Sequence, residues 1–201
     1  MSKSKYIDKE KFERFSDEIF KVANTHGWLD EPRTSEQLLG LVVTEVAEVV
    51  EADRNNKRAN SDSFFDVLKV QSMSEEGLSE HWYGMWYEEY YKMYVRGSIE
   101  EELADVIIRI LDMTKELYGN NMVWNGSYPN GCEVYNKDKK AVENAWVFVH
   151  DVLNWSTFRI CDSISFIYDW AESLGINLDQ HIEWKIKYND LRPYRHGGKK
   201  Y

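Results

Sequence analysis

Leu38-Leu39-Gly40-Leu41-Val42-Val43-Thr44-Glu45-Val46-Ala47-Glu48-Val49-Val50 is an almost unbroken apolar run interrupted by two acids three residues apart. A second run has the same character: Ile99-Glu100-Glu101-Glu102-Leu103-Ala104-Asp105-Val106-Ile107-Ile108-Arg109-Ile110-Leu111. Residues three apart on a helix point the same way. Each run therefore reads as a helix that sets two carboxylates, Glu45 with Glu48 and Glu102 with Asp105, side by side on one face. Should those faces meet, four negative charges share a partly dry space, which is prohibitive unless cations neutralise them. Hard divalent cations with all-oxygen shells, Mg²⁺ first and Mn²⁺ as a substitute, suit that task.

A plainer explanation competes. Positions 102, 105, 109, 112 and 116 (Glu, Asp, Arg, Asp, Glu) form a stripe, as do Thr44, Glu45, Glu48 and Glu51, and such stripes usually mark the solvated face of an amphipathic helix. On that reading the chain is a non-catalytic helical interaction protein. The metal reading gains from the occurrence of two acid-dominated stripes in one chain. It gains also from the absence of any Lys or Arg one turn from Glu45 or Glu48.

The ordered pair Glu-x-x-Glu, then Glu-x-x-Asp within Glu101-Glu102-Leu103-Ala104-Asp105-Val106, resembles the MazG-like group of all-α nucleoside triphosphate pyrophosphohydrolases. The tail is similar too: Lys185-Ile186-Lys187-Tyr188-Asn189 looks like that group's Lys-x-x-x-Asn element, followed by Arg192-Pro193 and His196-Gly197-Gly198-Lys199. One departure stands out, because 53 residues separate Glu48 from Glu102, more than in compact members. The stretch 61–96 is thus an insertion or a rearranged helical hairpin.

The resemblance implies an all-α bundle that hydrolyses a (deoxy)nucleoside triphosphate to the monophosphate and pyrophosphate. Glu45, Glu48, Glu102 and Asp105 would hold Mg²⁺, with Glu48 as the candidate base toward an attacking water. Lys185, Asn189, Arg192, His196 and Lys199 are the expected substrate contacts. Arg109 is expected to orient Asp105 through a salt bridge, with Asp112 behind it. Members of the group commonly build sites from more than one subunit, so a homo-oligomer, dimer or tetramer, is expected.

Composition agrees with one soluble all-α domain over residues 1–201. The chain is 43% hydrophobic and 14% aromatic, enough for a substantial core, and has only three prolines. No apolar stretch reaches membrane-spanning length and the N-terminus lacks a signal-peptide core, so no membrane association and a cytoplasmic location are expected. Cys132 and Cys161 provide no disulfide or zinc framework and read as reduced thiols. A net charge of −10 argues against nucleic-acid binding. Against that background, the basic segment from Lys185 to Lys200 is an exception suited to phosphate oxygens.

Outward from the two acid helices, residues 8–25 read as an amphipathic helix ending before His26-Gly27-Trp28. Thr34 or Ser35 caps the first acid helix, which is expected to run to about Arg58. Ser98 and Glu101 form a capping box at the start of the second. Between them lie a helix over 64–73 and the aromatic run His81-Trp82-Tyr83-Gly84-Met85-Trp86-Tyr87-Glu88-Glu89-Tyr90-Tyr91-Lys92-Met93-Tyr94. That run reads as a core or subunit surface, or as a base-stacking surface; Trp28 is a further candidate for base contact. A polar loop over 119–138, a long helical region from 140 to 174, continuous or interrupted, and a last helix over 179–191 complete the chain. A di-iron carboxylate bundle is disfavoured, since no histidine has Glu three residues before it.

Overall fold

The computed structural model describes residues 7–73, 80–119, 135–152 and 157–198, and its regular elements there are all helical, with no strand among the described residues. The helices are α1 (Lys9–Thr25), α2 (Ser35–Arg54), α3 (Ser61–Met73), α4 (Glu80–Tyr94), α5 (Ile99–Tyr118), α6 (Ala141–Val152), α7 (Thr157–Ser173) and α8 (Leu178–Leu191). A terminal turn follows at Arg195–Gly198. Lys199, Lys200, Cys132 and most of the expected 119–138 loop lie outside the described residues. No helix among the described residues is long and apolar enough to cross a membrane.

Local chemistry sets the helix ends. Asp8 accepts the Lys11 N–H at 2.8 Å to start α1. At its far end, left-handed Gly27 (φ 74°) lets the chain reverse, with Trp28 N–H bonded to the Ala23 carbonyl. Thr34 and Gln37 make a reciprocal capping box on α2. That helix stops at Arg54, short of the expected Arg58, because Asn56 turns left-handed (φ 49°). Ser98 caps α5 by accepting the Glu101 N–H at 3.2 Å. The expected return bond differs: the Glu101 carboxylate accepts the N–H of Gly97, not of Ser98.

The central helix is α5, packed against α1, α2, α7 and α8. Buried residues run nearly all round it from Ile99 to Thr114, which is why its sequence is so continuously apolar. It lies antiparallel to α2. Side-chain pairs join Arg33 to Asp112 and Glu45 to Arg109, and the backbone joins Lys57 to Ile99. This register brings the Glu45–Glu48 turn alongside the Glu102–Arg109 turn.

The long spacer does not part the two acid helices, because it leaves and rejoins the bundle at neighbouring points. Ile99 N–H donates to the Lys57 carbonyl at 3.0 Å and Asn60 N–H to the Tyr94 carbonyl at 2.8 Å. Glu100, buried, accepts from Arg58 Nε at 2.6 Å and from the Ala59 N–H at 2.9 Å. Between these anchors α3 and α4 pair as a hairpin resting on α8. It has its own aromatic core of Phe64, Tyr87, Tyr91, Val95, Trp184 and Tyr188, with Tyr91 stacked on Tyr188 at 4.3 Å between ring centroids.

His181 of α8 lies under this hairpin, buried, with Nε2 3.2 Å from Ser61 Oγ and Nδ1 without a hydrogen-bond partner among the described residues. Burial lowers its pKa from 6.5 to about 4. Between those values the unfolded chain binds the extra proton, so stability is complete above pH 6.5 and declines as pH falls toward 4. The full loss is on the order of 3 kcal/mol. His181→Asn should flatten this acid limb in melting temperature against pH, whereas an unchanged limb would assign it to other groups.

Candidate active site

Glu45 and Glu48 from α2 and Glu102 from α5 converge, each offering a carboxylate oxygen within 4.8 Å of the others. Glu45 and Glu102 are buried and Glu48 is exposed. The acid stripes are therefore not simply solvated faces. Burial, then the neighbouring Asp105 and Glu101 carboxylates, push Glu102 up to about 9. A cation among these three oxygens would relieve that cost, and a donor set of carboxylate oxygens alone suits Mg²⁺ or Mn²⁺ rather than a soft metal.

Asp105 stands apart from this cluster of three. Its Oδ2 lies 2.6 Å from Lys185 Nζ, which also lies 2.5 Å from Glu101 Oε1. Lys185, expected to meet phosphate, is buried at 7% exposure and tied into this ion triad. Burial works against its charge, yet Asp105 and Glu101 hold its pKa above the ordinary lysine value. Burial raises Asp105 to about 7, with Lys185 opposing the shift.

Arg109 also differs from expectation, since its Nε donates to Glu45 Oε1 at 2.9 Å and not to Asp105. Across antiparallel helices Glu45 is the carboxylate within its reach, so it orients a member of the cluster from the facing helix. Asp112, buried, accepts from Arg33 at 2.9 Å, and Arg33 continues to Glu116. That clamp fixes the start of α2 against α5. The other oxygen of Asp112 has no hydrogen-bond partner among the described residues.

A cavity of about 290 Å³ opens beside the carboxylates. Arg96, Asn189, Arg192 and His196 line it, as do Trp28, Ile19 and Val22. Asn189 Oδ1 is buried with no hydrogen-bond partner among the described residues. Arg192 is half-buried, and burial together with the nearby Arg96 charge lowers its pKa. Neither Arg96 nor Arg192 has an ion pair among the described residues.

The tail is pinned in place. Arg195 N–H donates to the His26 carbonyl at 3.0 Å, its Nε donates to the Gly27 carbonyl at 3.2 Å, and the Tyr194 hydroxyl donates to Asp30. Tyr194 packs so closely on Gly27 that a Cβ there would overlap its ring. This docking brings His196 edge-on to Trp28 with ring centroids 5.1 Å apart.

Sequence reasoning singled out neither Arg96 nor Arg33 for the site, and it read Glu101 only as a capping residue. The ion-pair partners of Arg33 and Glu101 lie about eighty residues away, and no local spacing marks those contacts. Residues 82–94 of the aromatic run are not among the described residues that line the cavity, and Tyr87 and Tyr91 fill the hairpin core. Comparison with known proteins gives no match to this chain from family models, curated proteins or solved structures.

Proposed function

We propose that the chain is a divalent-cation-dependent nucleoside triphosphate pyrophosphohydrolase of the MazG-like type, cleaving between the α and β phosphates to give a monophosphate and pyrophosphate. One observation carries this reading. A three-glutamate cluster and two guanidinium groups, Arg96 and Arg192, with no ion pair among the described residues line the same cavity. A polyphosphate beside divalent cations needs both kinds of neighbour. The solvated-stripe alternative loses ground because Glu45, Glu102 and Asp112 are buried.

Mg²⁺ or Mn²⁺ held by Glu45, Glu48 and Glu102 would offset phosphate charge and activate water. Glu48, exposed and lining the cavity, would take the proton of the attacking water. Arg109 fixes the Glu45 carboxylate, while Asp105 shapes the site from within the Lys185 triad. Arg96 and Arg192 would receive phosphate oxygens. The Asn189 oxygen, without a hydrogen-bond partner among the described residues, would accept from a sugar hydroxyl, and Trp28, with His196 against its ring, would offer a flat apolar face to a base.

Pyrophosphate release from a panel of canonical and modified triphosphates tests the reading. At least one should be cleaved to its monophosphate in Mg²⁺, with chelation stopping the reaction. No release across the panel would overturn it.

Arg96→Ala and Arg192→Ala separate the phosphate contacts from the carboxylate cluster. Charge-assisted hydrogen bonds contribute about 1.5–3 kcal/mol each, so each variant should lose roughly tenfold to hundredfold in kcat/KM. Stabilisation by Mg²⁺ should persist in both. Wild-type kinetics in the Arg96 variant would remove that residue from the site.

A further inference from the structure

We infer that Asp112 selects the base of the bound nucleotide, favouring bases that present an exocyclic amino group, as cytosine and adenine do, over their oxo counterparts. This rests on the nucleotide reading of the cavity and names the substrate class within it. Asp112 lines the cavity and is only 4% exposed. Its Oδ2 accepts from Arg33 Nη1 at 2.9 Å, while its Oδ1 has no hydrogen-bond partner among the described residues. An ion-paired carboxylate offers acceptors alone, and a buried acceptor left unsatisfied is costly. A donor on a bound ligand would remove that cost.

Position along α5 decides which part of the ligand carries the donor. Glu102, Asp105, Arg109 and Asp112 share one face of the helix, at i, i+3, i+7 and i+10. Ten residues at about 1.5 Å each set Asp112 roughly 15 Å along the axis from Glu102, too far to join the three-glutamate cluster. Arg96 belongs to the Glu102 end, since the next residue, Gly97, donates its N–H to Glu101. At the other end α1 passes alongside, with Lys115 Nζ donating to Asp17 Oδ1 at 2.6 Å. Ile19 and Val22 of α1 line the cavity, as does Ile108, one turn before Asp112. One end thus offers glutamates and a guanidinium to phosphates and their cations. The other offers apolar walls and a carboxylate that repels phosphate. Flat apolar faces with a polar edge describe a base, which fits the second end.

One group separates the bases there. Cytosine and adenine carry an amino donor where uracil and hypoxanthine carry a carbonyl oxygen, and a carbonyl facing Oδ1 sets acceptor against acceptor. Arg33 gives the test its sign. A guanidinium has donors only, so in Asp112→Asn the amide oxygen must take the Arg33 bond. The amide nitrogen then stands where Oδ1 stood, and an acceptor has become a donor.

Calorimetric binding of dCTP against dUTP and of ATP against ITP, with Ca²⁺ replacing Mg²⁺ to hold back turnover, reads the preference without relying on catalysis. In whichever pair the cavity admits, wild type should bind the amino member about tenfold to a hundredfold more tightly, as one charge-assisted hydrogen bond provides. Asp112→Asn should reverse that order with unchanged helical circular dichroism, and the wild-type pairs alone decide the matter should the variant not fold. Equal binding within both pairs, binding of none of the four, or a preference that survives Asp112→Asn would overturn the inference. Pyrophosphate release, measured separately in Mg²⁺, keeps the two readings apart. Release with no amino preference would overturn the role of Asp112 and sustain the activity, whereas an amino preference without release from any triphosphate would do the reverse.

Discussion

Glu48→Gln is expected to reduce turnover by at least about a hundredfold to ten-thousandfold, the range of a positioned proton acceptor, while the fold survives. Glu48 is exposed on α2, so its change to an amide leaves the buried packing of that helix intact. It is nonetheless one of three carboxylates whose oxygens lie within 4.8 Å of one another. Removing its charge lessens the repulsion on Glu45 and Glu102, so the metal-free variant should melt at or above the wild-type temperature. Wild type should gain stability from Mg²⁺ or Mn²⁺ by linkage, about 2.7 kcal/mol when the ion is at a hundred times its Kd. In Glu48→Gln that gain should shrink sharply. Calorimetric melting with and without the ion, paired with a pyrophosphate assay, reads both effects. Full activity with a full ion-induced shift would remove Glu48 from the cluster.

The contrast between Glu48 and Asp105 shows what spacing can and cannot convey. Helical period and capping residues made α2 and α5 legible, because Thr34, Ser98 and the apolar runs act through neighbours within a turn or two. The same period placed Glu45 beside Glu48 and Glu102 near Asp105. It could not show that Lys185 withdraws Asp105 from the cluster, since that contact spans the fold. Nor could it assign Arg109 to Glu45, a pairing set by the register of two helices joined through an inserted hairpin. That the hairpin closes on itself depends on the Lys57–Ile99 and Asn60–Tyr94 backbone bonds, which side-chain periodicity does not encode.

Lys185→Met is expected to cost about 3–5 kcal/mol of stability, the penalty for removing one partner from a buried ion pair. Glu101 is 2% exposed and accepts from Lys185 at 2.5 Å, with Asp105 at 2.6 Å on the same ammonium. Methionine keeps much of the lysine stem's volume but none of its charge, leaving two carboxylates beside Glu102 with no cation. They would have to take up protons or admit water, and either response costs folding free energy. Urea unfolding at neutral pH without metal ions should show the loss. Adding Glu101→Gln and Asp105→Asn to the same chain should restore much of it, since an uncharged trio leaves no unpaired charge behind. The resemblance to the pyrophosphohydrolase tail assigns Lys185 a different task, and the two roles differ in readout. A phosphate contact would raise KM while leaving unfolding unchanged. Wild-type stability in Lys185→Met with only KM raised would therefore return Lys185 to the phosphate and dissolve the buried triad.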